Sequence, residues 1–208
     1  MSELLDIIRD LIKSGINKKV KERIREFKKF KHKSSTEIFT ELSFCIMTAN
    51  CSAEKCIEVH ERIRNGFCEL EEENLSLQFK KLGYRFPNIR AKYIVNAREY
   101  KEKIYRKIQT NANFIELREW LVKNIKGLGY KEASHFLRNI GFEDYAIIDF
   151  HIIDLLIKFN LIKRPKTLTK NKYLEIEGLL REISECLGLT LAELDLYMWY
   201  LETRKILK

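Results

Sequence analysis

Apolar residues recur along this chain at three- and four-residue intervals rather than at every second position, which predicts an all-α fold. Leu4, Leu5, Ile7, Ile8, Leu11 and Ile12 fall on one face of a first helix, with Ser2 placed to cap it and Gly15 to stop it. Val20, Ile24 and Phe27 continue through a strongly basic second helix that reaches Lys31. After a polar break at 33–36, Ile38, Phe39, Leu42, Cys45, Ile46 and Ala49 mark a helix apolar nearly all round, as a central core helix is. Ser52 is placed to cap the next helix, which carries Cys56, Val59 and Ile63.

Glu69, Glu71, Glu72 and Glu73 form an acidic turn expected to lie away from any polyanion. A short segment ends at Gly83, and Pro87 introduces a long helix running from about Asn88 past Tyr93, Ala97 and Tyr100 to Ile104. A helix from Asn113 to Ile125 follows. The last third predicts a helix from Asp149 to Phe159, a basic linker around Arg164 and Pro165, and a helix from Tyr173 to Leu187. Thr190 and Glu193, three apart, form a capping box for the final helix, which carries the aromatic run DLYMWYL.

At 208 residues the chain can bury a sizeable core without covalent help. Its five cysteines are odd in number and contain no CxxC pair, so reduced thiols in a cytoplasmic protein are expected. The longest uncharged stretch, 42–53, falls far short of the roughly 20 apolar residues of a membrane span, and a soluble chain is expected. A net charge of +9 and a pI near 9.2 favour polyanionic partners. A lysine-rich surface of the heat-adapted kind would have the same balance, so charge alone does not name the partner.

The segment IKGLGYKEASHFLRNIG, Ile125 to Gly141, interrupts a helix at Gly127 and Gly129 and restarts it at once. Such a helix-hairpin-helix lets the backbone approach a phosphate, with main-chain N–H groups at the start of the second helix as donors and a monovalent cation at the hairpin carbonyls as an optional aid. An ordinary helix corner would use the same glycines. Lys131 opens the second helix, and Asp149 follows eighteen residues later in AIIDFHIIDLL. A partly desolvated lysine at a helix N-terminus gives up its proton readily, as a nucleophilic amine must, and a carboxylate within reach offsets positive charge that develops during a reaction. Taken separately, Lys131 would be a solvated helix residue and Asp149 an N-cap; their joint occurrence with the hairpin favours catalysis.

These residues resemble the helix-hairpin-helix glycosylase superfamily, and the pattern, length and ending most resemble the archaeal type-2 8-oxoguanine DNA glycosylases. The resemblance implies a bifunctional DNA glycosylase/AP lyase that excises 8-oxoguanine from duplex DNA. Lys131 would displace the base at the anomeric carbon and form a Schiff base, Asp149 would assist it, and β-elimination would cut the strand. It also implies that His151 lies on the DNA-contacting helix, and that Asn50, within CIMTANCSAEKC, enters the gap left by the flipped base. Arg85 and Phe86, within KLGYRFPNIRAKYI, would probe the opposite strand.

His135, one turn after Lys131, and Trp199 are candidates to hold the flipped base, with the terminal Lys208 folding back towards it. Asn50 as a turn residue, Phe86 as a loop anchor and Trp199 as core remain open alternatives. Cys186 stands alone where endonuclease III relatives carry a four-cysteine loop, so no iron-sulfur cluster is expected.

An N-terminal β-domain like that of the larger eukaryotic-type enzymes is likewise not expected. The expected architecture is two helical subdomains, 36–112 and 1–35 plus 113–208, with a DNA cleft between them, acting as a monomer in the cytoplasm on nucleoid DNA. The alternatives are a non-catalytic helix-hairpin-helix DNA-binding module and a glycosylase of the same superfamily acting on another lesion.

Overall fold

The computed structural model describes residues 1–110 and 114–208, and among them every regular element is a helix. In chain order these are α1 (Ser2–Lys13), α2 (Ile16–Phe30), α3 (Ser35–Thr48), α4 (Ala53–Ile63), the single turn α5 (Gly66–Glu69), α6 (Glu72–Lys81) and α7 (Pro87–Ala97). A 3-10 turn at Arg98–Tyr100 leads to α8 (Lys101–Thr110), α9 (Phe114–Asn124), α10 (Tyr130–Asn139), α11 (Phe150–Lys158), α12 (Lys170–Leu187) and α13 (Leu191–Thr203). Among the described residues, no helix is long and apolar enough to cross a membrane.

The capping box at Thr190 and Glu193 forms as the spacing predicts. A second one opens α3, where the Ser34 hydroxyl accepts from the Glu37 N–H and the Glu37 carboxylate from the Ser34 N–H. Ser2 lies inside α1 rather than capping it: Met1 holds the cap position without a side-chain bond. Ser14 closes that helix, its hydroxyl donating to Leu11 O at 2.7 Å. The expected helix 88–104 is two helices. The break falls at Arg98, whose guanidinium donates to Phe67 O at 2.8 Å and Leu70 O at 2.6 Å, serving carbonyls around α5 that have no continuing helix to accept them. The expected helix start at Asn113 lies outside the described residues.

The chain forms two compact units, residues 30–136 and residues 1–29 with 137–208, and α10 runs from one into the other. This differs from the expected division, which grouped 113–136 with the C-terminal third. The reason is packing. Trp120 of α9 meets Tyr100 edge-on at 5.9 Å and carries Lys103 and Lys107 over its ring, while Gly127 lies against Tyr93.

In the 30–136 unit, α3 is the axis, buried continuously from Ile38 to Thr48, and α4, α5, α7 and α8 pack round it. Each large apolar side chain fully buried there, such as Phe39, Phe44 or Ile46, contributes about 1.5–3 kcal/mol. In the other unit α1 packs on α12 and α13, and α13 on α11. A buried ion pair, Arg138 to Asp195 at 2.9 Å, ties the end of α10 to α13, with the guanidinium also 4.7 Å over the Phe27 ring.

Candidate active site

Within the 30–136 unit, α9 is joined to α10 by the turn Ile125–Gly129. Gly127 has φ +91, and a Cβ there would stand 2.6 Å from the Tyr93 ring, so both backbone conformation and space require glycine. Gly129 has a different role. Its N–H donates to Glu132 Oε2 at 3.1 Å and its carbonyl accepts from Ala133, so it is the cap of α10 with Glu132 closing back on it. The Gly129 donor expected to be offered to a phosphate is therefore engaged with Glu132. The other oxygen of Glu132 lies 3.8 Å from Lys131 Nζ, and the lysine side chain is 22% exposed in the first turn of α10. Glu132 was not singled out in the sequence, although its position three residues after a capping glycine is a readable signal.

Two loops of the same unit carry the expected strand-probing residues. Asn50 is exposed at φ +59, just past the Ala49 cap of α3. Arg85 is exposed with its guanidinium 4.9 Å over the half-buried Phe86 ring. The loops are tied together: Tyr84 Oη donates to Met47 O at 2.7 Å, Lys55 Nζ to Leu82 O at 3.1 Å, and Arg90 Nη2 to Ala49 O at 3.1 Å. Arg90 also lies 5.9 Å over Phe86 and 5.8 Å over Tyr93. It thus links the Asn50 turn to the Phe86 loop, a role the sequence did not reveal. Desolvation pushes the Tyr84 hydroxyl above its ordinary range, so it stays a neutral donor.

His135 departs from expectation. It is 8% exposed, with its ring edge-on to Phe44 at 5.7 Å, so it offers no open face for stacking a base. One helical turn after Lys131 on α10, it faces the core.

In the other unit Asp149 caps α11, its Oδ1 accepting from the Ile152 N–H at 3.0 Å. The approach to it, 146–148, is held from α12: Tyr173 Oη donates to Ala146 O at 2.6 Å and accepts from the Ile148 N–H at 3.3 Å, while Glu177 accepts from the Ala146 N–H at 3.1 Å. Beyond the aspartate, Phe150 is 64% exposed and tilted over His151 at 4.0 Å, and His151 meets Trp199 edge-on at 4.8 Å.

Trp199 Nε1 is buried and has no hydrogen-bond partner among the described residues, a donor whose desolvation costs about 1–3 kcal/mol until an acceptor reaches it. Lys208 is half-buried at the end of the tail that follows α13. Asn50, Arg85, Phe86, Gly127, Gly129, Lys131 and His135 thus share one unit, and Asp149, His151, Trp199 and Lys208 the other.

A family model described as 8-oxoguanine DNA glycosylase matches residues 20–189. The chain is similar to an 8-oxoguanine DNA glycosylase/AP lyase of Methanocaldococcus jannaschii, 52% identical over 206 residues and 99% of each chain. It is also similar to that of Thermotoga maritima, 40% identical over 208 residues and 99% of each. Among solved structures, the Methanocaldococcus jannaschii 8-oxoguanine glycosylase/lyase in complex with a 15mer DNA containing 8-oxoguanine superimposes with a TM-score of 0.96 at 51% identity, covering 99% of this chain and 100% of that one. The 8-oxoguanine DNA glycosylase of Thermotoga maritima gives 0.93 at 39% identity, covering 100% and 99%.

Proposed function

Since this chain belongs to the 8-oxoguanine DNA glycosylase family, we propose that it excises 8-oxoguanine from duplex DNA and then cuts the strand, with Lys131 as the nucleophile. The observation that carries the reading is the placement of Lys131 in the first turn of α10, directly after the Gly127–Gly129 turn, its amine partly exposed beside the Glu132 carboxylate. The neutral amine attacks C1′ of the flipped nucleotide and the C1′–N9 bond breaks, the base leaving with a proton. Opening of the sugar gives a Schiff base to Lys131; loss of a C2′ proton then expels the 3′ phosphate by β-elimination. The Asp149 carboxylate offsets the positive charge that develops on the sugar as the base departs.

Gly127 and Gly129 bring the hairpin backbone to a phosphate, and His151 adds a DNA contact from the first turn of α11. Asn50 fills the gap left by the extruded nucleotide, while Arg85 and Phe86 engage the orphaned partner base. Trp199 and Lys208 contact the damaged base, the indole N–H finding there the acceptor it lacks. The enzyme works on chromosomal DNA in the cytoplasm.

Borohydride trapping tests the assignment. Wild-type protein mixed with an 8-oxoguanine duplex and reductant yields a covalent adduct, and Lys131→Gln yields none. A wild type that leaves no adduct, or a Lys131→Gln variant that still traps, overturns it.

A further inference from the structure

We infer that Cys51 and Cys56 form a peroxide-sensitive thiol pair, with Cys51 the attacking sulfur and Cys56 the resolving one, which closes to an intramolecular disulfide. The placement comes from α4. With Ser52 as its N-cap, Cys51 occupies the position just before the cap and Cys56 the fourth position of the helix. Residues at these two positions meet side chain to side chain, usually as an apolar staple, and here both are sulfur. Each thiol is the largest influence on the other's acidity, as befits neighbouring sulfurs. Cys56 is fully buried, with its Sγ 3.5 Å from Met47 O, whereas Cys51 is half-buried and retains access to solvent.

The surroundings give the two sulfurs different chemistry. The neighbouring Cys56 thiol, the Ser52 backbone N–H and the Lys55 and Arg85 cations lower the Cys51 thiol to about 7, against the raising effect of burial. Cys56 is pushed up by the neighbouring Cys51 sulfur and by burial, and its S–H donates to Met47 O, so it holds its proton. A hydroperoxide therefore meets one thiolate with one thiol behind it.

The chemistry balances in two steps. The Cys51 thiolate attacks a peroxide oxygen, the O–O bond breaks, and the products are a sulfenic acid and hydroxide, which is protonated to water. Cys56 sulfur then attacks the Cys51 sulfur and displaces the hydroxyl, which takes the Cys56 proton and leaves as a second water. Two thiols are oxidised by two electrons and one hydroperoxide is reduced. The bond covalently ties the turn bearing Asn50 to the start of α4.

The experiment is a hydrogen peroxide time course at pH 7 on the whole protein, with peptide mapping in the absence of reductant. A thiolate fraction near one half, against about 3% for an ordinary exposed thiol, is offset in part by the lower nucleophilicity of a weaker base, which leaves an advantage of about threefold. Cys51 is thus expected to be consumed about threefold faster than the cysteine of an unstructured reference peptide in the same tube. The wild-type product is a 51–56 cross-linked peptide that dithiothreitol reverses. In Cys56→Ser, the Cys51 sulfenic acid persists and is captured by dimedone. Consumption of the exposed Cys186 ahead of Cys51 overturns the inference, as does oxidation of Cys51 to the sulfinic acid with Cys56 intact in the wild type, or a disulfide that joins two chains.

Discussion

The Glu132 carboxylate closes on the Gly129 N–H at 3.1 Å, while its second oxygen stands 3.8 Å from Lys131 Nζ. One side chain therefore both caps the helix that presents the amine and sets the charge beside it. Glu132→Gln keeps an oxygen for the Gly129 N–H and should hold stability within about 0.5 kcal/mol of wild type, whereas Glu132→Ala should lose about 1 kcal/mol. Urea unfolding measures both. If the hairpin cap is what positions Lys131, borohydride trapping falls further in the alanine variant than in the glutamine one. Equal trapping in the two would show that the charge, not the cap, is what matters.

Asp149 is aimed by a second device that acts from α12. Tyr173 grips the backbone of Ala146 and Ile148, and Glu177, one turn later, takes the Ala146 N–H. Tyr173→Phe removes both bonds and leaves a buried carbonyl without that donor, a loss of about 1–3 kcal/mol. If the clamp positions the carboxylate, base excision slows about tenfold to a hundredfold while DNA affinity holds. Ile183→Val, a buried change on the same helix, is the control. Should it slow excision as much as Tyr173→Phe does, the clamp is structural only.

How far these relationships could be read from sequence depends on their range. That Lys131 opens the helix after the hairpin and that Asp149 stands at a helix start was legible because helical periodicity and fixed spacing carry such positions. The Thr190–Glu193 box was legible for the same reason. The Ser34–Glu37 box has the same spacing, but three adjacent hydroxyl residues, Ser34, Ser35 and Thr36, left the helix start undetermined. The break at Arg98 and the grip of Tyr173 on Ala146 were not legible. In each, a side chain meets backbone 27 to 31 residues away, and no local pattern records that. His135 was misplaced because helical spacing put it on the Lys131 side of α10, while packing against Phe44 turns it to the core.

The two hairpin glycines are not equivalent. Gly127→Ala imposes a side chain on a left-handed backbone, about 1–2 kcal/mol, and drives its Cβ into the Tyr93 ring, about 1–3 kcal/mol more. At Gly129 the added Cβ meets only the Glu132 carboxylate at 3.1 Å, the far end of a flexible side chain. Denaturant unfolding should therefore show a loss of about 2–5 kcal/mol for Gly127→Ala and under about 1 kcal/mol for Gly129→Ala. Equal losses would mean that the turn tolerates or resists both for a reason other than backbone conformation.

Asp149 has two candidate tasks, and one substitution separates them. As an N-cap it needs only an oxygen that accepts the Ile152 N–H, and asparagine caps helices about as well as aspartate. As the partner of a reacting sugar it needs negative charge, which asparagine lacks. Asp149→Asn should accordingly unfold within about 0.5 kcal/mol of wild type, while single-turnover excision of 8-oxoguanine falls by about 10²–10⁴ with duplex affinity little changed. Asp149→Ala should lose the cap as well, about 1 kcal/mol. An Asp149→Asn enzyme that excises at the wild-type rate would reduce the residue to its capping role and leave Glu132 as the carboxylate beside Lys131.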